Sequence, residues 1–161
     1  AAGTMSSGRI STAVRGCSGR LCSKSGLERG SDMSGAAFVE LCERAQERGG
    51  HAVAYRAFLT LAADLSQASN EELVELVVDA PAVTGRWKDA VAALIEQRFA
   101  ARRIPLPAWV EACVGQPGAP WEPQRSATPL WFPVDLNEVA EPFLRRGILI
   151  EANELETGKR S

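Results

Sequence analysis

The chain is cut into short pieces by its own punctuation. Gly49-Gly50, Pro81, Pro105-Leu106-Pro107 and the run Gln116-Pro117-Gly118-Ala119-Pro120-Trp121-Glu122-Pro123 each interrupt a regular pattern. Proline removes a backbone donor and glycine ends helices, so no element can run through these points. Between them, apolar residues recur at helical spacing, and Ser34, Ser69 and Thr84 stand where N-caps belong. A chain punctuated in this way builds short helices packed on one another. The expected fold is mainly α, a small helical domain with an irregular C-terminal segment containing one short extended piece.

The pattern sets the elements. Ser34 caps a helix running to about Arg48, with Phe38, Val39, Leu41, Cys42 and Ala45 as its apolar stripe. A second helix spans His51 to Gln67, with Val53, Ala57, Phe58, Leu61, Ala62 and Leu65 on one side. Ser69 and Glu72 form a capping box for a third, which carries Leu73, Leu76 and Val77 and ends near Asp79. Thr84 is expected to cap the longest helix, about Arg86 to Arg103, with Trp87, Val91, Leu94, Ile95 and Phe99 on one face. Pro107 suits the first turn of a short helix through Cys113. A further helix is expected over Asn137–Arg146, then a short extended piece over Ile148–Glu151 and a final turn over Asn153–Glu156.

Charge divides the chain unevenly. Residues 1–33 hold five basic and two acidic side chains, whereas residues 34–161 hold 13 and 18, so the balances are +3 and −5. The first segment is also rich in Ser and Gly and poor in large apolar residues, too little to offset the entropy of ordering it. Residues 1–33 are therefore expected to be a disordered basic arm. It lacks the apolar stretch of a secretory signal. Met33 directly precedes the first patterned residue, so residues 1–32 read as upstream sequence without a function of their own. The other reading is a basic arm touching nucleic acid or an acidic partner. The domain itself is assigned to 34–158.

Chemistry has few candidates. His51 is the only histidine, placed at a helix start beside no Ser, Cys or carboxylate cluster, so a Ser-His-Asp or Cys-His hydrolase is not expected. Cys17 and Cys22 have no second pair to complete a zinc site, and Cys42 and Cys113 on helices read as reduced structural thiols. The acidic groups Glu71-Glu72 and Glu151/Glu154/Glu156 read as solvated faces. The chain has no dinucleotide fingerprint and no phosphate loop. The expectation is a non-enzymatic cytoplasmic protein without cofactor or metal, and without a membrane span. The two helices flanking Gly49-Gly50 could form a helix-turn-helix that binds promoter DNA, but Arg56 is the only base on the second helix, which also carries Asp64. An ordinary helical hairpin is the better reading.

The block Trp87-Lys88-Asp89-Ala90-Val91-Ala92-Ala93-Leu94, Ala101-Arg102-Arg103 and Leu106-Pro107-Ala108-Trp109-Val110, followed by Trp131-Phe132 and Glu141-Pro142-Phe143-Leu144-Arg145-Arg146-Gly147-Ile148, carries a resemblance. It resembles a family of small bacterial proteins typically encoded beside a nucleotidyltransferase-like protein, in pairs that look like toxin–antitoxin modules. The family pattern ends in Pro-x-Phe-x-Arg-Arg-x-Ile, which Pro142, Phe143, Arg145, Arg146 and Ile148 match, with Ile150 and Leu155 after them. The resemblance covers about half of the chain. It implies an antitoxin that binds a nucleotidyltransferase-like toxin by direct contact, and, since larger members carry a helix-turn-helix, a transcription regulator of its own promoter as the alternative. Trp and Arg are enriched at interface hot spots, so the expected partner-binding set is Trp109, Trp121, Trp131, Phe132, Phe143, Arg145, Arg146 and Ile148. Self-association into a homo-oligomer is compatible with the same residues.

Overall fold

Each expected helix has a counterpart in the computed structural model, which describes residues 33–124 and 133–156. These residues belong to a single unit, Asp32–Ser161. The expected arm, up to residue 32, lies outside the described residues. In order, the helices are α1 (Gly35–Glu47), α2 (His51–Gln67), α3 (Asn70–Val77), α4 (Arg86–Arg102), α5 (Ala108–Glu111), α6 (Glu141–Leu144) and α7 (Ala152–Glu156). No described helix is long and apolar enough to cross a membrane.

Local chemistry explains the boundaries. Ser34 Oγ accepts the Ala37 N–H at 3.3 Å and opens α1. Gly49, with φ +74°, ends that helix in the left-handed region that glycine enters at little cost. At α3, Ser69 Oγ accepts the Glu72 N–H at 3.2 Å while Glu72 Oε2 accepts the Ser69 N–H at 2.8 Å, closing the capping box. The end of α2 is satisfied from a distance. Arg102, at the end of α4, donates to the carbonyls of Leu65, Ser66 and Ala68.

The start of α4 departs from the sequence expectation. Its N-cap is Gly85, not Thr84, and no local side chain caps it. Glu43 of α1 reaches across instead, and its Oε1 accepts the Trp87 N–H at 3.0 Å. A β-carbon on Gly85 would lie 2.1 Å from that oxygen, so glycine leaves the space the carboxylate occupies. Capping by a side chain 44 residues upstream leaves no trace in the local pattern.

α4 is the centre of the fold. It contacts α1, α2, α5 and α6, while α1 pairs with α2, α3 rests on α1, and α7 rests on α2. Its residues Ala90–Ile95 are all buried, together with Trp87 and Phe99. The expected single apolar face was therefore too narrow. Ala90, Ala92 and Ala93 lie outside the expected face, yet they are fully buried in a helix that α1, α2, α5 and α6 all contact. In α2 the buried stripe is Ala54, Phe58, Leu61, Ala62 and Leu65, and Val53 is displaced from it, with 56% of its surface exposed.

The C-terminal part is less helical than expected. Asn137–Arg146 reduces to α6, because Pro142 is tolerated only in the first turn of a helix. The expected extended piece over Ile148–Glu151 exists as two isolated bridges, Trp121 with Ile148 and Val139 with Glu151.

Candidate partner-binding surface

Two segments separated in sequence lie side by side here, residues 113–124 and 142–149. The backbone joins them. The Gln116 N–H donates to the Arg146 carbonyl at 3.1 Å, the Trp121 N–H to Gly147 at 2.9 Å, and the Leu149 N–H to Trp121 at 2.8 Å. Gln124 Nε2 adds a bond to the Leu149 carbonyl at 3.0 Å. The approach is close enough to demand glycine on both sides. A β-carbon on Gly147 (φ +70°) would sit 2.4 Å from the Gln116 oxygen, and one on Gly115 (φ +72°) 2.6 Å from Arg146 Cβ.

Arg146 is the internal fastener. Its exposure is 0%. Nε donates to the Cys113 carbonyl at 2.9 Å, one terminal nitrogen to Pro142 at 3.0 Å, and the other to Val110 at 3.2 Å. Glu96 of α4 lies 2.8 Å from the guanidinium and supplies the counter-charge. A buried cation survives only when paired and hydrogen-bonded, and these acceptors fulfil both conditions. Arg145 turns outward, with 47% of its side chain exposed, and pairs with the same Glu96 carboxylate.

Arg86 fastens the segment from the other side. One terminal nitrogen donates to the carbonyls of Ala119 and Gly147 at 2.9 and 2.8 Å, and the other to Gln116 at 3.4 Å. The guanidinium stands 5.5 Å from the centre of the Trp121 ring, within cation–π range. Trp121 in turn meets Trp87 edge to face, with centroids 5.0 Å apart at 84°. Trp87 is buried and continues to Phe58, 5.8 Å away. A half-buried indole is thus held from the core on one side and by a cation on another.

The expected partner-binding residues separate into three groups. Phe143, Arg146 and Ile148 are fully buried, so in this conformation their side chains face the core and lie out of a partner's reach. Trp109, Trp121 and Arg145 reach the surface in part or in full. The Trp109 indole N–H donates to the Val77 carbonyl at 2.9 Å and satisfies the end of α3. Trp131 and Phe132 lie outside the described residues. Val114 and Leu144 are exposed on the two paired segments. Arg86, Glu96, Gly115 and Gly147 were missed by sequence reasoning. Only the glycines carried a signal, because each stands where a regular element stops.

Several other titratable groups have structural partners. His51 Nδ1 lies 3.1 Å from Gln46 Oε1. Burial, reinforced by Glu43, pushes the Cys42 thiol up to about 12, so it stays protonated. Burial likewise raises Cys113, whose Sγ donates to Asp89 Oδ1 at 3.2 Å. The Tyr55 hydroxyl donates to Glu154. Burial pushes the Glu154 carboxyl above its ordinary range, Glu151 and Glu122 push the same way, and the Tyr55 bond opposes them. Among the described residues no three or more His, Cys, Asp or Glu side chains are grouped to hold a metal ion. Neither the models of known families nor the curated proteins nor the solved structures contain a match to this chain.

Proposed function

We propose that this protein is an antitoxin-like binding protein, acting in the cytoplasm without cofactor or chemistry of its own, that neutralises a nucleotidyltransferase-type toxin by direct contact. The resemblance of the Trp87–Ile148 block supports the identity of the partner. The observation that carries the binding role is the way Trp121 is held. Its loop is bonded to residues 146–149 and to Arg86, so a half-buried indole is offered with little left to order on binding. Preorganised aromatic and Arg side chains are what interface hot spots use. Arg145, Val114 and Leu144 are exposed side chains of the same two paired segments.

The test is co-expression with the product of the neighbouring gene. Co-purification and relief of toxicity are expected. Arg145→Glu combined with Val114→Glu should weaken both while the circular dichroism spectrum stays unchanged, because both side chains are exposed. If the two proteins neither co-purify nor alter each other's toxicity, the reading fails.

A further inference from the structure

The loop end of the α1–α2 hairpin carries an open groove of about 380 Å³, lined by Leu41, Arg44, Ala45, Arg48, Gly50 and Val53. Helix geometry sorts its walls. At about 100° per residue, Leu41 and Ala45 share one side of α1, and Arg44 and Arg48 adjoin them toward solvent. Glu40 and Glu47 lie farther round the helix, and Glu43 points to α4, which it caps. On α2, Arg56 adjoins Val53 on the solvent side. Arg44, Arg48 and Arg56 are all exposed. Among the described residues, none of the three side chains makes a hydrogen bond or an ion pair.

The groove therefore has an apolar floor and a cationic rim of Arg44 and Arg48 on the α1 wall, with Arg56 one turn along α2 from Val53, although residues 34–161 carry an excess of acid. An anion alone would not need the floor. A nucleic acid would need polar donors where Leu41, Ala45 and Val53 stand. We propose that the groove docks an acidic amphipathic helix of a partner protein, with its apolar side chains against Leu41, Ala45 and Val53 and its carboxylates on Arg44, Arg48 and Arg56. Laying an apolar helix face into a groove while charges set the orientation is a common recognition mode. This site is separate from the Trp121 surface and does not rest on the toxin reading.

The experiment uses the full chain and a fluorescein-labelled peptide of about 16 residues, about four helical turns. Its leucines lie on one face and glutamates fill the rest. A second peptide has the same composition with the leucines scattered, a third replaces Glu with Lys, and a labelled DNA duplex completes the set. Saturable anisotropy is expected with the first peptide, about tenfold weaker binding with the scattered one, and none with the Lys peptide. Val53→Asp and the double variant Arg48→Glu/Arg56→Glu should each weaken binding about tenfold. All these side chains are exposed, so circular dichroism should not change. Equal binding of the amphipathic and scattered peptides, binding indifferent to both variants, or binding of the duplex in place of the peptide would overturn the proposal.

Discussion

Glu43 Oε1 accepts the Trp87 backbone N–H at 3.0 Å, so the first helix caps the fourth. The carboxyl is partly buried, and burial is the largest influence on it, raising its pKa against the opposing backbone bonds from Trp87 and Lys88. A carboxyl whose folded pKa is raised binds its proton more tightly in the folded state. Its contribution is then fully present below the unfolded pKa and is lost as pH rises through the folded one. Glu43→Gln keeps an acceptor without the charge. The stability of the native protein relative to Glu43→Gln should therefore fall between about pH 4 and pH 7. Glu43→Ala, which removes the cap and the titrating group together, should cost about 1 kcal/mol near pH 4 and less near pH 7. Urea unfolding at the two pH values measures both, and a gap that widens in favour of the native protein at pH 7 would contradict the sign.

Arg145 and Arg146 are neighbours on the same carboxylate with opposite surroundings. Removing Arg146 leaves Glu96 with one exposed partner, takes the guanidinium donors from the carbonyls of Cys113 and Pro142, and leaves the Val110 carbonyl with the Cys113 N–H alone. Arg146→Ala should destabilise by about 3–5 kcal/mol, the range for breaking a buried pair, and Arg145→Ala by no more than about 1 kcal/mol. Denaturant midpoints of the two variants separate them. Equal losses would mean that the buried network contributes nothing beyond a surface ion pair.

The sequence made the hairpin, the capping box and the Arg-Arg block visible, because each is local. Ser69 and Glu72 stand three residues apart, and Gly49-Gly50 interrupts two amphipathic stretches. The cap on α4 was hidden because its donor and acceptor are 44 positions apart. The centrality of α4 was hidden because alanine marks close approach as readily as neutral surface. The candidate surface was half visible. Trp121 and Arg145 were recognisable by type, but the direction of a side chain inside an irregular segment follows from backbone pairing that only the fold supplies. The pattern Phe-x-Arg-Arg-x-Ile states no direction, and the fold turns Phe143, Arg146 and Ile148 inward while Arg145 turns out.

Two positive-φ glycines separate conformational strain from steric conflict. Gly49 has φ +74° and nothing within 4 Å of an added β-carbon, so Gly49→Ala should cost about 1 kcal/mol, the left-handed penalty alone. At Gly147 the same penalty is joined by a contact of 2.4 Å with the Gln116 oxygen, a backbone atom that cannot rotate away. Gly147→Ala should therefore cost about 2–3 kcal/mol or more and loosen the Trp121 loop with it. Thermal unfolding ranks the two variants. The Trp121 environment is followed separately through near-ultraviolet circular dichroism, which should change for Gly147→Ala and not for Gly49→Ala. If Gly147→Ala proves no worse than Gly49→Ala, the pairing of residues 116–121 with 146–149 is not as tight as the distances state.

The C-terminal helix is clasped to α2 by the Tyr55 hydroxyl on the Glu154 carboxylate and by the burial of Leu155. Glu154 is raised by burial and by the neighbouring Glu151 and Glu122, whereas the Tyr55 bond acts the other way by favouring the ionised form. That bond is strongest when Glu154 is charged, so what Tyr55 contributes is present above the Glu154 pKa and wanes as the carboxyl protonates. Tyr55→Phe should cost about 1–3 kcal/mol near pH 7 and less near pH 4, the opposite direction from the Glu43 effect. The two carboxyls share a raised pKa, yet their variants should answer pH with opposite signs. One substitution removes the titrating group, and the other removes the donor that favours its charge. Urea unfolding of Tyr55→Phe at the two pH values decides it, and a loss that is equal or larger at pH 4 would show that the hydroxyl does not serve the ionised carboxylate.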